Sequence, residues 1–402
     1  MPYKELKSLY YADKEAYKKT YAERFAAENT VLLDFYIGEH RAFFVQSSDV
    51  IRLCYGILVT DKTVDRLVRS LPQAAMTQFS KKCLIDEIVL TNNIEGVHSS
   101  RREIGAVLNA LEAQSEKKGR RSKFLGIVNK YMMLVRGETL PLSTCTDIRD
   151  IYDALVLPEV VADDPDSMPD GEIFRKGQTE LYSEAGKIIH RGKYPEKEII
   201  TAMEKALGFL NDERVLPLYR LCIFHYLLEY VHPFYDGNGR LGRFILSYCI
   251  SRRLDAHLAL RISQTIKENL HKYYKAFAAC NDPKNMGDLT PFLIMLLEMI
   301  AASQRALIES LRERSERLEK YRALCGDLPL SASEKKLLLL LVQAALFSEG
   351  GVSTPELKTA LGTSMPTLKK MLDLFRAKGL LAETKQGSTK YYQAELSRLD
   401  EM

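Results

Sequence analysis

The sequence predicts a mainly α-helical fold with a short β-hairpin, followed by a smaller domain of three helices and a second hairpin. Apolar residues recur at helical spacing through most of the 402 residues. Outside the C-terminal part, residues 173–190 are the best candidate for a hairpin, since they mix polar and apolar residues around two glycines. At roughly 150 residues per domain, the length predicts two or three units. With 46% hydrophobic and 27% charged residues, the composition is that of a globular protein.

Composition also bears on partners and compartment. A net charge of +4 is too small to indicate nucleic acid or an anionic membrane by itself. The seven cysteines form no CxxC pair, which argues against zinc and a disulfide framework and favours reduced thiols. Residues 1–19 lack the apolar core of a signal peptide, and the apolar run Leu337 to Phe347 is far short of the roughly 20 residues of a membrane span. We expect a cytoplasmic protein with no membrane partner.

The N-terminal region, residues 1–72, is predicted to be helical, with breaks near Gly38, Gly56 and Pro72. A strong helical pattern then runs from Gln73 to Ile94 and stops before Gly96, the residue type expected after a helix. Ser100 and Glu103 predict a capping box at the start of another helix, through Leu111. Further helices are expected at 124–136, 147–157, 195–211, 219–231, 241–253, 262–279 and 289–321, with a loop at 163–171.

A separate domain is predicted for residues 331–402. It has three helical segments, 334–347, 353–361 and 364–378, and then strands that flank a turn at Gln386-Gly387-Ser388. Three helices and a hairpin are typical of a winged helix-turn-helix. The domain has ten Lys/Arg against eight Asp/Glu, a weak basic footprint, so DNA and protein both stay open as its partner.

The stretch from His232 to Arg243 is the candidate functional site, a short loop between two helices. Gly237 and Gly239 allow the backbone to turn at positive φ, which points free N–H groups and a helix N-terminus at one anion site. His232 is a candidate general base or a helix cap, and Asp236 a metal ligand or a helix cap. The last two charged residues of the loop, Arg240 and Arg243, oppose the helix dipole unless they face an anion.

His-Pro-Phe-Tyr-Asp-Gly-Asn-Gly-Arg-Leu-Gly-Arg at 232–243 resembles the Fic family motif HxFx[D/E]GNGRxxR at every specified position. The resemblance implies a Fic-type helical domain that transfers AMP from ATP to a hydroxyl of a target protein. It implies that His232 is the base and that Asp236 holds Mg²⁺. It also implies that Gly237, Asn238 and Gly239 cradle the phosphates, with Arg240 and Arg243 on the outer ones.

The resemblance covers about residues 73–300 and implies a catalytic domain over 73–325. Phe174 to Gln178 looks like the strand region before the family's flap, the hairpin that aligns the target segment. Asn269 and Tyr273-Tyr274 are similar to the family's element near the adenine, although Leu270 stands where an arginine is usual.

A second resemblance lies at Thr91-Asn92-Asn93-Ile94-Glu95-Gly96, which is similar to the inhibitory [S/T]xxxE[G/N] motif of family members with an N-terminal inhibitory helix (here about 73–96). Glu95 at a helix end needs a compensating cation, and a bidentate pair with Arg243 would supply it and block the γ-phosphate. The alternative for Glu95 is an ordinary exposed glutamate. The alternatives to AMP transfer are removal of AMP, transfer of another phosphate-linked group, and a DNA-binding regulator. Self-modification and a homodimer are compatible with the sequence.

Overall fold

A computed structural model describes residues 3–112, 123–182, 188–386 and 389–402. Two compact units divide the chain, one made of residues 1–61 and 86–304 and the other of residues 62–85 and 305–402. As predicted, the fold is mainly helical with small sheets. The predicted turn at Gly387 and Ser388 and the tip of the 173–190 hairpin, residues 183–187, lie outside the described residues.

The first unit begins with two helices, α1 (Leu6–Ala12) and α2 (Lys14–Ala26), and a two-stranded antiparallel sheet, β1 (Thr30–Ile37) with β2 (His40–Val45). The expectation of helices throughout 1–72 is therefore wrong. Leu33, Phe35 and Ile37 are buried and alternate with exposed neighbours, which is the period of a strand. Gly38 makes the turn at φ 58°, whereas Gly56 lies within helix α3 (Ser48–Ser70) and does not break it.

The predicted helix at 73–94 is α4 (Gln73–Ile94), and Gly96 follows it at φ 73°. Ser100 and Glu103 form the predicted capping box before α5, with the Ser100 N–H 2.9 Å from a Glu103 carboxylate oxygen. Helices then follow in the order α5 (Arg101–Glu112), α6 (Leu125–Val135), α7 (Cys145–Leu155) and α8 (Leu157–Asp163). Helix α8 was not expected from the sequence.

The hairpin consists of β3 (Glu180–Tyr182) and β4 (Ile188–Arg191), which pair antiparallel. Phe174 to Gln178, expected to resemble a strand, is irregular. The unit continues with α9 (Glu196–Leu210), α10 (Pro217–Val231), α11 (Asn238–Ser251), α12 (Ala256–Ala259), α13 (Ile262–Glu268) and α14 (Leu270–Asn281). Asn269 separates α13 from α14, so the single helix expected at 262–279 is two. Helices α10 and α11 are buried on nearly all sides, which makes them the centre of this unit.

Helix α15 (Thr290–Asp327) is the longest element. By length and composition alone an 18-residue window of it, of mean hydropathy 1.5, could cross a membrane, and 56% of that window is buried inside the protein, as in a core helix. The second unit ends with α16 (Ala332–Phe347), β5 (Val352–Ser353), α17 (Thr354–Leu361), α18 (Met365–Ala377), β6 (Leu381–Gln386), β7 (Thr389–Ala394) and α19 (Leu396–Asp400). Its three strands form one antiparallel sheet in the order β5-β7-β6.

Candidate active site

The loop between α10 and α11 turns twice through the left-handed region. His232 ends α10 at φ 53° and ψ 63°, and its N–H donates to the Leu228 carbonyl at 2.9 Å. Gly237 precedes α11 at φ 80°, and a Cβ there would press on Val156 and Tyr152. The second turn leads directly into the N-terminus of a 14-residue helix, the end of a helix that attracts negative charge.

Two side chains fix the shape of the loop. The amide of Asn238 is buried and bonds the Phe234 backbone twice, accepting from its N–H at 3.0 Å and donating to its carbonyl at 2.8 Å. The Phe234 ring is fully buried and stacks on Tyr152 with ring centres 3.6 Å apart. Phe234 is therefore the anchor that its place in the motif indicates. Asn238 can offer an anion only its backbone N–H, since its side chain is committed to the loop.

Arg175 joins this loop to the hairpin. Its fully buried guanidinium donates to the His232 carbonyl at 3.0 Å, to the Lys193 carbonyl at 2.8 Å and to the Gly177 carbonyl. Because three carbonyls converge on one buried cation, the backbone at His232 is held against the segments on either side of β3 and β4.

The imidazole of His232 is 7% exposed, and its Nδ1 has no hydrogen-bond partner in the described part of the chain. Burial, together with the neighbouring His190 and Arg175, lowers the pKa of His232 to about 3. The ring is therefore neutral at physiological pH and can accept a proton. A bound polyphosphate would raise this pKa, because nearby negative charge favours the imidazolium.

Arg243 is held by the end of α4. Its Nη2 lies 2.7 Å from Oε1 of Glu95, its Nε donates to Oγ1 of Thr91 at 2.8 Å, and Nη2 also donates to the Thr91 carbonyl at 3.1 Å. The ion pair expected between Glu95 and Arg243 is therefore present, and Thr91 adds two further contacts to the guanidinium. Burial, the largest single influence, works to lower the pKa of Arg243, but the charges of Glu95, Tyr273 and Glu229 together outweigh it and the pKa is raised.

The Glu95 carboxylate also lies directly over Gly239. A Cβ at Gly239 would collide with Oε1 of Glu95 and would come within 3.0 Å of Nη1 of Arg243. The glycine that the motif would offer to a phosphate is therefore covered by a carboxylate.

Arg240 is paired as well. Its Nη1 lies 2.9 Å from Oε2 of Glu159 on α8, and both side chains are at least 98% buried. Burial raises the pKa of Glu159 to about 7, and Arg240 opposes that shift. Asp236 is 3.9 Å from Arg240 Nη2, its side chain is 56% exposed, and its Oδ1 accepts the Gly237 N–H at 2.6 Å. Within the described ranges, no three or more His, Cys, Asp or Glu side chains are grouped so that they could hold a metal ion.

The residues expected near an adenine lie at the junction of α13 and α14 and in the first turns of α14. Asn269 links the two helices, and its amide donates to the Thr265 carbonyl at 2.9 Å. Tyr273 is buried, with its hydroxyl 2.7 Å from Nε2 of His225, while Tyr274 is 46% exposed. Burial raises the pKa of Tyr274 to about 12 with a contribution from Glu95, which indicates that this ring lies near the Glu95 carboxylate.

Glu229 on α10 is a second acid near Arg243. Its Oε1 is enclosed, has no hydrogen-bond partner among the residues described, and would collide with a Cβ at Gly242. Burial, and then the charge of Glu95, raises the pKa of Glu229 to about 8, while Arg243 opposes the shift. Glu229 is therefore protonated in the folded chain near neutral pH.

This protonation predicts a pH dependence of stability. An unfolded glutamate loses its proton near pH 4.3, so between about pH 4.5 and 8 the folded state binds the extra proton and its stability falls as pH rises. Glu229→Gln should remove this contribution, up to about 1.4 kcal/mol per pH unit, measured by thermal unfolding from pH 5 to 8. Glu87 and Glu159, whose pKa burial also raises, contribute equally to both chains, so the difference isolates Glu229. Identical slopes in both chains would refute the assignment.

Taken together, the fold and the loop define a helical protein in which a histidine and two arginines flank a glycine-rich turn at a helix N-terminus. Residues 143–250 match the model of the Fic/DOC family. Protein adenylyltransferase fic-1 of Caenorhabditis elegans is 29% identical over 165 residues, which cover 38% of this chain and 30% of that protein. Protein adenylyltransferase Fic of Culex quinquefasciatus is 26% identical over 226 residues, 55% of this chain and 41% of its own.

Among solved structures, a Fic family protein from Desulfovibrio desulfuricans G20 has a TM-score of 0.50 at 18% identity, covering 87% of this chain and 97% of that one. This likeness concerns the fold alone. The chain spans 30% to 41% of the length of the two curated relatives described above. These findings support placing the chain in the Fic family.

Proposed function

We propose that this protein is an adenylyltransferase that moves AMP from ATP to a hydroxyl side chain of a target protein. The observation that carries the proposal is the carboxylate of Glu95, which lies on Gly239 and Arg243. Carboxylate and phosphate oxygens take the same partners, backbone N–H groups and guanidinium forks. The names of the relatives, protein adenylyltransferases, support the same activity.

In the proposed reaction, neutral His232 takes the proton of the target hydroxyl. The hydroxyl oxygen forms a bond to the α-phosphorus of ATP, the bond to the bridging oxygen breaks, and pyrophosphate leaves. The backbone of Gly237, Asn238 and Gly239 binds phosphate oxygens, and Arg240 and Arg243 neutralise the outer phosphates. We assign Asn269 and Tyr273 to the adenine side.

The residues fit a magnesium ion bound jointly by protein and substrate. Asp236 is a half-exposed carboxylate beside the anion site, and Mg²⁺ with a nucleotide characteristically uses one or two carboxylates and phosphate oxygens. When bound, the ion would neutralise phosphate charge. Asp236 would hold it.

We further propose that the resting chain is autoinhibited. Arg243 cannot bind a phosphate while Glu95 and Thr91 hold it, and Gly96 ends the helix that presents them.

We assign a winged helix-turn-helix to 331–402, on the basis of α16, α17, α18 and the β5-β7-β6 sheet. Arg376 on α18 pairs with Asp373 and Glu383, which weakens its case as a DNA contact and favours a protein partner over DNA. We propose a cytoplasmic location.

The activity is tested by incubating the Glu95→Gly chain with ATP labelled on the α-phosphate in cell lysate and identifying labelled proteins by mass spectrometry. We expect peptides heavier by one AMP group on a serine, threonine or tyrosine, on a target or on the chain itself. A mass gain of phosphate alone or of another group would replace AMP transfer. Loss of AMP from a pre-modified protein would identify the enzyme as one that removes it.

A further inference from the structure

A cavity in the first unit lies against the C-terminal half of α11, and its lining residues are distinct from those of the loop at 232–243. Its volume is about 450 Å³. This is within the range of roughly 300 to 1,000 Å³ typical of small-molecule sites. The wall combines apolar residues with three arginines and one glutamate; the residues that matter for the argument are Leu140, Tyr248, Arg220, Arg252, Arg253 and Glu213.

Polar contacts fix one wall of this cavity in advance of any ligand. The Leu140 N–H donates to the Tyr248 hydroxyl at 3.0 Å, the Asn211 amide donates to the Leu142 carbonyl at 2.9 Å, and Nη1 of Arg252 donates to the Gly137 carbonyl at 3.1 Å. One side chain on α11 and the two residues that directly follow α9 and α11 thus hold the segment from 137 to 142. The cavity is preformed, so a ligand would not have to order it.

Arg220 is the feature that calls for a ligand. It is 8% exposed, it lines the cavity, and its Nε has no hydrogen-bond partner among the described residues. Leaving a buried charged donor without an acceptor is costly. The neighbouring Asp212 is committed to Arg214, whose Nε and Nη2 both lie 2.8 Å from its carboxylate.

The other charges make the cavity positive. Both Arg253 and Arg220 act on the thiol of Cys249 in its wall: burial raises the pKa of that thiol to about 12, and the two arginines oppose the rise. Both arginines line the same cavity as this thiol. Arg220 also lies in the first turn of α10, where no acidic residue compensates the positive end of the helix.

We propose that this cavity binds a small phosphate monoester whose apolar or aromatic body lies against Leu140 and Tyr248. Three guanidinium groups against the single carboxylate of Glu213 leave two positive charges, which match the charge of about −2 on a phosphate monoester at neutral pH. A monocarboxylate would leave one of them uncompensated. The site is independent of the activity proposed for the loop at 232–243.

Calorimetric titration of the full chain tests the proposal, with adenosine monophosphate, glucose 6-phosphate and inorganic phosphate as probes. We expect at least one ester to bind with a dissociation constant below about 1 mM. Two variants, Arg253→Ala at an exposed side chain and Arg220→Gln, should each weaken the affinity for the ester about tenfold or more. That is the contribution expected of one charged hydrogen bond. Arg305→Ala, a matched loss of an exposed charge outside the cavity wall, should leave the affinity unchanged.

The other outcomes overturn the proposal. The proposal fails if none of the three probes saturates the protein by about 10 mM. It also fails if Arg243→Ala abolishes binding while Arg220→Gln and Arg253→Ala retain it, because the ligand would then lie at the loop of 232–243. Succinate that binds as tightly with the same dependence on Arg253 would replace the phosphate ester with a dicarboxylate. Arg253→Ala keeps the test valid if Arg220→Gln does not fold.

Discussion

Glu95→Gly is expected to raise self-modification with labelled ATP about 10- to 100-fold, the usual span of a coupling between two sites. The change removes the carboxylate that lies 2.7 Å from Arg243 and covers Gly239. Both groups then become available to phosphate oxygens. Incorporation of label per minute into purified chain, at fixed ATP, measures the effect.

Glu28→Gly provides the matched control, since Glu28 is an exposed glutamate and this variant should label at the unmodified rate. An unchanged or lower rate in Glu95→Gly would contradict the inhibitory role. If the enzyme removes AMP with the help of Glu95, the same variant would instead lose removal from a pre-modified protein. One variant therefore separates the two directions of the reaction.

His232→Ala is expected to reduce AMP transfer by about 10²- to 10⁴-fold, the contribution typical of a positioned general base. The test is best done in the Glu95→Gly background, where the rate is high enough for the loss to be measured. Label incorporation within tenfold of the parent would exclude His232 as the base.

The backbone at His232 dictates the control. His232 has φ 53°, a conformation in which alanine is strained at a cost of about 1 kcal/mol and which asparagine tolerates better. His232→Asn should therefore be as inactive as His232→Ala while unfolding at a higher temperature. Loss of activity with both, but loss of stability chiefly with alanine, separates the chemistry from the fold.

Much of the loop could be predicted from the sequence because its chemistry is local. His232, Gly237, Arg240 and Arg243 lie within twelve residues, and glycine spacing specifies the turn. The Glu95–Arg243 pair was also predictable, although 148 positions separate the two residues, because a motif at the end of α4 marked it. The structure added Thr91 to the contacts of that arginine.

Contacts made at long range by unmarked residues could not be predicted. Glu159 has no pattern around it that points to Arg240, and only its complete burial reveals the pair. Arg175 was part of a recognised segment, but its three carbonyl contacts depend on how the hairpin packs. The β1–β2 sheet was missed for a different reason. The alternation of Leu33, Phe35 and Ile37 is typical of a strand, but the charged residues around it favoured the prediction of a helix.

The absence of a side chain at Gly239 has a consequence for the response to ATP. The Glu95 carboxylate and a phosphate would occupy the same volume, so under the proposed autoinhibition ATP would compete with a group that is covalently part of the chain. The apparent dissociation constant for ATP would then be the intrinsic one divided by the fraction of chains in which Glu95 is withdrawn. A withdrawn fraction of about 1% would raise it about 100-fold. A single ion pair would therefore set the ATP concentration at which the protein begins to work.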